Sequence, residues 1–265
     1  VVELDKQIEM QNRSSECLEL QNTELQKVNK ELDQFVYSIS HDLRAPLTSV
    51  MGLVELSKLE KDPEQVKHYH EMMERSLTKL DIFIKDILNF SRNARLDIEA
   101  AAIDLSELLT DVFSQHEYAH SGQLIEKTVD LELPFPVYSD KRRLKVILNN
   151  LISNSIKYSD PAKGMSYIHL SAKSTDQDIL FKITDNGIGI DESRVVRIFD
   201  MFYRATEFSK GSGLGLYIVK ETIETLGGSI SVESTLNKGT TFYFTIPNLA
   251  STVMSSEELL EAKLV

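Results

Sequence analysis

From Leu18 to Phe90 apolar residues return mostly every three or four positions, the period of helices that each bury one stripe. Leu18, Leu25, Val28, Leu32 and Phe35 keep a seven-residue repeat in a stretch rich in Glu, Gln, Asn and Lys, without Pro or Gly. Residues 1–35 therefore predict a coiled-coil helix, well patterned from Leu18 and poorly before it, where Gln11 and Ser14 would fall on the seam. A long solvated helix is the alternative. The stripe continues through Ile39, Leu43, Leu47, Val50 and Val54. Lys61-Asp62-Pro63-Glu64 ends this helix and opens another, because Asp caps well and Pro is tolerated in a first turn. The second helix carries Tyr69, Met73, Ser76, Leu80, Phe83, Ile87 and Phe90 at alternating spacings of four and three. Two such helices cannot bury their stripes alone, so the expected solution is two copies paired in a four-helix bundle.

The pattern changes after Phe90. Ser91, Asn93 and Asp97, then Ala-rich sequence, mark 91–104 as a linker. Beyond it the pattern predicts a helix over 105–118 and a strand over 128–133, stopped by Pro134 and Pro136. An Asp-capped helix follows over 140–158, with Leu144, Ile147, Leu148, Leu151, Ile152 and Ile156 on one face. Residues 179–184 read as a short apolar strand, and 217–226 as a helix closed by Gly227-Gly228. Residues 229–234 and 240–246 make a closing hairpin. This is a second domain, and 248–265 is an acidic, helix-prone tail or linker.

Composition adds boundaries. With 42% hydrophobic and 26% charged residues, the 265-residue chain has ordinary globular composition for one or two domains. Its net charge of -12 argues against nucleic-acid binding, which leaves a basic footprint. No apolar run reaches the ~18 residues of a membrane span, and no signal peptide is expected at the head of this sequence. The single Cys17 excludes an intramolecular disulfide and fits a reducing, cytoplasmic setting. A chain opening on Val rather than Met is expected to be a fragment or processed form, with a sensor region missing upstream.

Candidate chemistry begins at His41. At ~100° per residue its side chain lies about 200° from Ile39 and about 160° from Leu43, so the imidazole faces solvent. A carboxylate at Asp42 can accept the Nδ1 proton and leave Nε2 with a nucleophilic lone pair. Pro46 removes a helical donor and crowds the carbonyl of Asp42, which predicts a kink just past the histidine. By itself, an exposed histidine is commonly only a surface residue. His68 and His70 are read that way. His116 and His120 stand one turn apart but lack a third ligand, so they too are read as surface.

Asn150 and Asn154 share a helix face, and neutral carboxamide oxygens suit Mg²⁺ that takes its other oxygens from triphosphate and water. Lys157 is close enough to reach the same phosphates. Asp185 ends a strand and can accept from an adenine amino group, while Gly187 and Gly189 allow close backbone approach. Phe199 and Phe202 would pack one end of a loop whose polar remainder, from Arg204 to Ser212, reads as a lid. Gly211, Gly213 and Gly215, with Leu214 and Leu216, open a helix and offer bare amides to phosphate. The spacing is neither a Rossmann fingerprint nor a P-loop.

The run Ser40-His41-Asp42-Leu43-Arg44-Ala45-Pro46-Leu47 resembles the phospho-acceptor box of sensor histidine kinases. The asparagine helix, Asp185-Asn186-Gly187-Ile188-Gly189 and the 211–216 glycine run follow in that family's order. The chain is thus similar to a transmitter module of two-component signalling. The resemblance implies a coiled-coil signalling helix (1–35), a dimerisation and phosphotransfer domain (36–95) and a GHKL-type, Bergerat α/β sandwich that binds ATP (101–247). It implies a homodimer that autophosphorylates His41, with Asp42 assisting, and passes phosphate to an aspartate of a response-regulator receiver. Asn154 is implied as the Mg²⁺ ligand. Asn150, Asn154, Lys157, Tyr158, Asp185, Gly187, Gly189, Arg204, Gly211, Gly213, Leu214, Gly215 and Leu216 are implied as the nucleotide contacts. The alternatives are a nucleotide-binding scaffold without transfer and a GHKL-type ATP hydrolase. Ala45 departs from relatives that place Thr or Asn there, so little receiver phosphatase activity is expected.

Overall fold

No residue before Leu59 breaks the helical pattern more strongly than Pro46, and one helix, α1 (Val2–Leu59), runs through it. The lost donor at Pro46 therefore leaves the helix continuous. The computed structural model describes residues 2–116, 125–204 and 213–250, and it divides into two units, Val1–Phe83 and Ile84–Val265. The side chains of Cys17 and of Val28 and Leu32 on the expected coiled-coil seam are not described, and His120 and the tail beyond Ala250 lie outside the described residues. Among the described residues no helix is long and apolar enough to cross a membrane.

In the first unit Asp62 caps α2 (Pro63–Arg95), accepting the Glu64 N–H at 3.1 Å, as its sequence predicts. Ile39, Leu43, Val50, Tyr69, Met73 and Leu80 are half-buried, and Leu53 and Phe83 are buried. Leu47 is 50% exposed on the single chain. The packed face follows Ile39, Leu43, Pro46, Val50 and Leu53, a seam near 3.5 residues per turn, and Leu47 falls one position off it.

The second unit begins inside α2. The helix runs past Ser91 to Arg95, so the linker expected from residue 91 starts later than its polar residues imply. Next come β1 (Ala101–Ala102), α3 (Leu105–Gln115), β2 (Ile125–Glu132), β3 (Tyr138–Ser139) and α4 (Lys141–Lys157). Asp104 and Asp140 cap α3 and α4 by accepting the N–H groups of Glu107 and Arg143 at 3.0 Å. The remaining elements are β4 (Ser166–Ser174), β5 (Asp178–Asp185), α5 (Glu192–Val195), α6 (Gly215–Thr225), β6 (Ser229–Thr235) and β7 (Gly239–Pro247). β4 has no counterpart among the sequence expectations.

The main sheet is ordered β2-β4-β5-β7-β6, with β2 and β4 parallel and the other pairs antiparallel. Its strands alternate strictly where they meet the helices. Ile168 and Leu170, Ile179, Phe181 and Ile183, and Phe242, Phe244 and Ile246 point inward against Leu108, Leu148, Leu151, Ile152 and Val219. Phe181 and Phe244 stack with ring centroids 4.5 Å apart. The same period of two carries β5 from Ile183 to Asp185, and this puts a carboxylate on the inward face.

One buried cation joins the end of α2 to this unit. Arg143 is 2% exposed, and its guanidinium donates to Asp140 Oδ2 (2.5 Å), to Asn93 Oδ1 and to the carbonyls of Asn93, Leu96 and Asp97. Asn93 Nδ2 in turn donates to Thr222 Oγ1 on α6 at 3.0 Å. Burial alone would raise Asp140, but the N–H groups of Arg143 and Glu99 and the guanidinium outweigh it and hold the carboxyl below its ordinary range.

Candidate functional site

Asp185 is 8% exposed, at the point where β5 leaves the sheet. Its Oδ1 accepts the N–H groups of Gly187 (2.9 Å) and Thr240 (3.3 Å), and its Oδ2 accepts the Ser155 hydroxyl (3.0 Å). Burial pushes the carboxyl up, against the pull of those donors and of the nearby Lys163 ammonium. An aspartate held in this way keeps acceptor capacity for an incoming N–H group.

Helix α4 aligns the rest. At its C-terminus the Tyr158 carbonyl accepts the Ile188 N–H at 2.9 Å, and a Cβ on Gly187 would come within 2.3 Å of that oxygen. Gly189 needs its positive φ of 66° to pass beside Thr235 at the end of β6. Lys163 Nζ donates to the carbonyls of Asn186 and Gly187 at 2.7 and 2.6 Å. Further up α4, Asn150 Nδ2 donates to the Val146 carbonyl, and a Cβ on Gly215 would lie 2.9 Å from Asn150 Oδ1. One helix therefore holds both glycine segments, with positions 150 and 158 separated by about 12 Å of rise. Half-buried Asn154 stands between them on α4, and Lys157 Nζ lies 4.6 Å from the Tyr158 ring centroid. Leu214 is buried and Leu216 half-buried at the start of α6, and Leu214 at its N-cap makes no side-chain cap hydrogen bond.

Gly213, with φ of 72°, and Phe202, with φ of 62°, meet where the Phe202 N–H donates to the Gly213 carbonyl. Exposed Arg204 follows. Gly211 and most of the expected lid lie outside the described residues.

In the other unit the His41 side chain is 69% exposed, and its Nδ1 lies 3.0 Å from Asp42 Oδ1. This is the pairing that the sequence predicts. His116 is half-buried rather than a surface residue, and burial lowers its imidazole pKa. Among the described residues no group of His, Cys, Asp or Glu is arranged to hold a metal. Sequence reasoning missed Ser155, Lys163, Asn93 and Arg143. Only Ser155 carried a signal, because it is the immediate neighbour of Asn154 on α4.

Two family models match these two regions. Residues 31–95 match the His Kinase A (phospho-acceptor) domain, and residues 139–250 match the histidine kinase-, DNA gyrase B- and HSP90-like ATPase. The chain belongs to the histidine kinases. It is 34% identical over 232 residues to the methanogenesis regulatory histidine kinase FilI of Methanothrix harundinacea, covering 84% of this chain and 25% of that protein. The chain spans about a quarter to a third of the length of the first curated relatives it matches. Among solved structures, full-length ShkA in complex with AMPPNP is similar with a TM-score of 0.59 and 28% identity, over 78% of this chain and 44% of that one. The histidine kinase ThkA in complex with the response regulator TrrA is similar with a TM-score of 0.63 and 25% identity, over 81% and 61% of the two chains.

Proposed function

We propose that the chain is an ATP-dependent protein histidine kinase that phosphorylates His41 and passes the phosphoryl group to an aspartate on a response-regulator receiver. The observation that carries this reading is the exposed His41 with Nδ1 against Asp42 Oδ1, in a chain that also folds an ATPase-type domain. With Nδ1–H donated to Asp42, the Nε2 lone pair points outward. It attacks the γ-phosphorus in line. The N–P bond forms as the bond to the ADP oxygen breaks, and Asp42 offsets charge on the imidazole or takes its proton.

Asp185 accepts from the adenine amino group, and the close-packed Gly187 and Gly189 let the backbone approach the base. Asn150, Lys157, Tyr158, Arg204, Gly211, Gly213, Leu214, Gly215 and Leu216 line the nucleotide. The amides at the start of α6 and the Lys157 ammonium stabilise charge there. A neutral carboxamide at Asn154 fits Mg²⁺ shared with triphosphate, and the ion would neutralise phosphate oxygens when bound. Support for ATP as substrate comes from the ATPase family model and the AMPPNP complex of ShkA. ThkA bound to TrrA supports a receiver partner.

A homodimer is proposed because the first unit leaves Leu47, Met51, Leu56, Leu77 and Ile82 exposed, and two copies can cover them in a four-helix bundle. The proposed domains are 1–35, 36–95, 101–247 and 248–265. A GHKL-type hydrolase would need an acidic base for water within α4, and the turn from Leu144 to Leu148 has none. The test is incubation of the chain with γ-labelled ATP. Acid-labile, alkali-stable label that chases onto a receiver supports the kinase, whereas bound nucleotide without label supports a scaffold.

A further inference from the structure

An ionised carboxylate has about four lone-pair positions. In Asp185 three are taken from within the protein. The two on Oδ1 receive Gly187 and Thr240, and one on Oδ2 receives Ser155. The backbone donors are part of the strand and turn framework, so Oδ1 is fixed by the fold. Ser155 Oγ is the single side-chain donor among the three, and it acts on the oxygen that retains a vacant position. Ser155 itself is buried on α4, one residue from Asn154, and Asp185 is nearly closed off from water.

We propose that Ser155 is a specificity-determining residue of the nucleotide site: its hydroxyl orients the Asp185 carboxylate so that Oδ2 offers one acceptor to an exocyclic amino group and rejects a base bearing a carbonyl there. The inference rests on the placement of adenine at Asp185. A carbonyl oxygen facing this carboxylate finds lone pairs in place of a donor, and both groups are left unpaired. Without Ser155 two changes follow. The carboxylate loses its hold at Oδ2 and swings off the position that meets the amino group. It also becomes easier to protonate in its buried setting, and a protonated Oδ2 donates to a carbonyl. Both changes narrow the gap between amino- and carbonyl-bearing bases. A residue that merely filled space on α4 would leave that gap intact.

The test is calorimetric titration of the full chain with ATP and with inosine triphosphate, which carries a carbonyl in place of the amino group. The parent is expected to bind ATP at least about 100-fold more tightly. Ser155→Ala, which removes the hydroxyl and favours the helix, is expected to cut that ratio about tenfold or more, with ATP carrying most of the loss. Ser155→Cys, with a weak donor of similar shape, falls between them. Thermal unfolding of the unliganded variants checks that both are folded. A Ser155→Ala protein that binds ATP with the parent's ratio, or a Cys variant at or above that ratio, overturns the proposal. A parent that binds both nucleotides equally overturns it and leaves the nucleotide site standing, whereas a parent that binds neither overturns the site and the proposal together.

Discussion

His41 Nδ1 and Asp42 Oδ1 lie 3.0 Å apart on the solvent side of α1, although the two residues are consecutive and their side chains diverge by about 100° around the helix. A carboxylate only accepts, so this contact favours the tautomer with the proton on Nδ1 and the lone pair on Nε2. Asp42→Asn keeps a hydrogen-bonding oxygen and loses the charge. The rate of His41 labelling from ATP is expected to fall by on the order of 10²-fold with nucleotide affinity unchanged. An unchanged rate reduces Asp42 to a surface residue.

Asp185 sets function against stability. Burial raises its folded pKa above the ordinary 3.8, so the ionised form at neutral pH destabilises the fold, and the penalty is relieved as pH falls through the folded pKa. Asp185→Asn should therefore unfold at the parent's temperature or above it at pH 7, with the advantage shrinking in acid. ATP affinity should fall about 100-fold. Parallel thermal melts and titrations test both parts, and a variant that is destabilised and still binds ATP contradicts them.

Arg143 predicts where the second unit can be cut. Its acceptors at Asn93, Leu96 and Asp97 lie upstream of residue 101, so a fragment starting at Ala101 removes most of its partners. That fragment should be less stable than one starting at Ile84 by on the order of 2 kcal/mol. Denaturant unfolding of the two fragments provides the comparison, and equal stabilities contradict the role given to Arg143.

These cases also mark how far the sequence could be read. The His41–Asp42 pair and the caps at Asp62 and Asp140 depend on neighbours within three residues, and local pattern reveals such contacts. Asp185 falls on the inward register of Ile179, Phe181 and Ile183, which makes its burial legible, but its partner Ser155 is 30 residues away. Arg143 beside a capping Asp looks like an ordinary polar first turn, and its acceptors arrive from about 50 residues upstream. β4 escaped because Ser166, Ala172 and Ser174 occupy its inward positions and dilute the apolar alternation.

Ala45 stands one turn beyond His41, where a methyl group cannot hydrogen-bond a water. Phosphorylated receiver incubated with the parent and nucleotide should keep its phosphate, and Ala45→Thr should speed the loss. A parent that dephosphorylates the receiver briskly without His41 contradicts this expectation.

The most direct test of the kinase is a paired measurement on the parent and His41→Gln chains: label taken from γ-labelled ATP, and ATP affinity by titration. His41 is exposed and on a different unit from Asp185, so the account predicts acid-labile, alkali-stable label on the parent, none on the variant, and matching ATP affinities. Label persisting on pure His41→Gln protein contradicts the assignment of the phospho-acceptor.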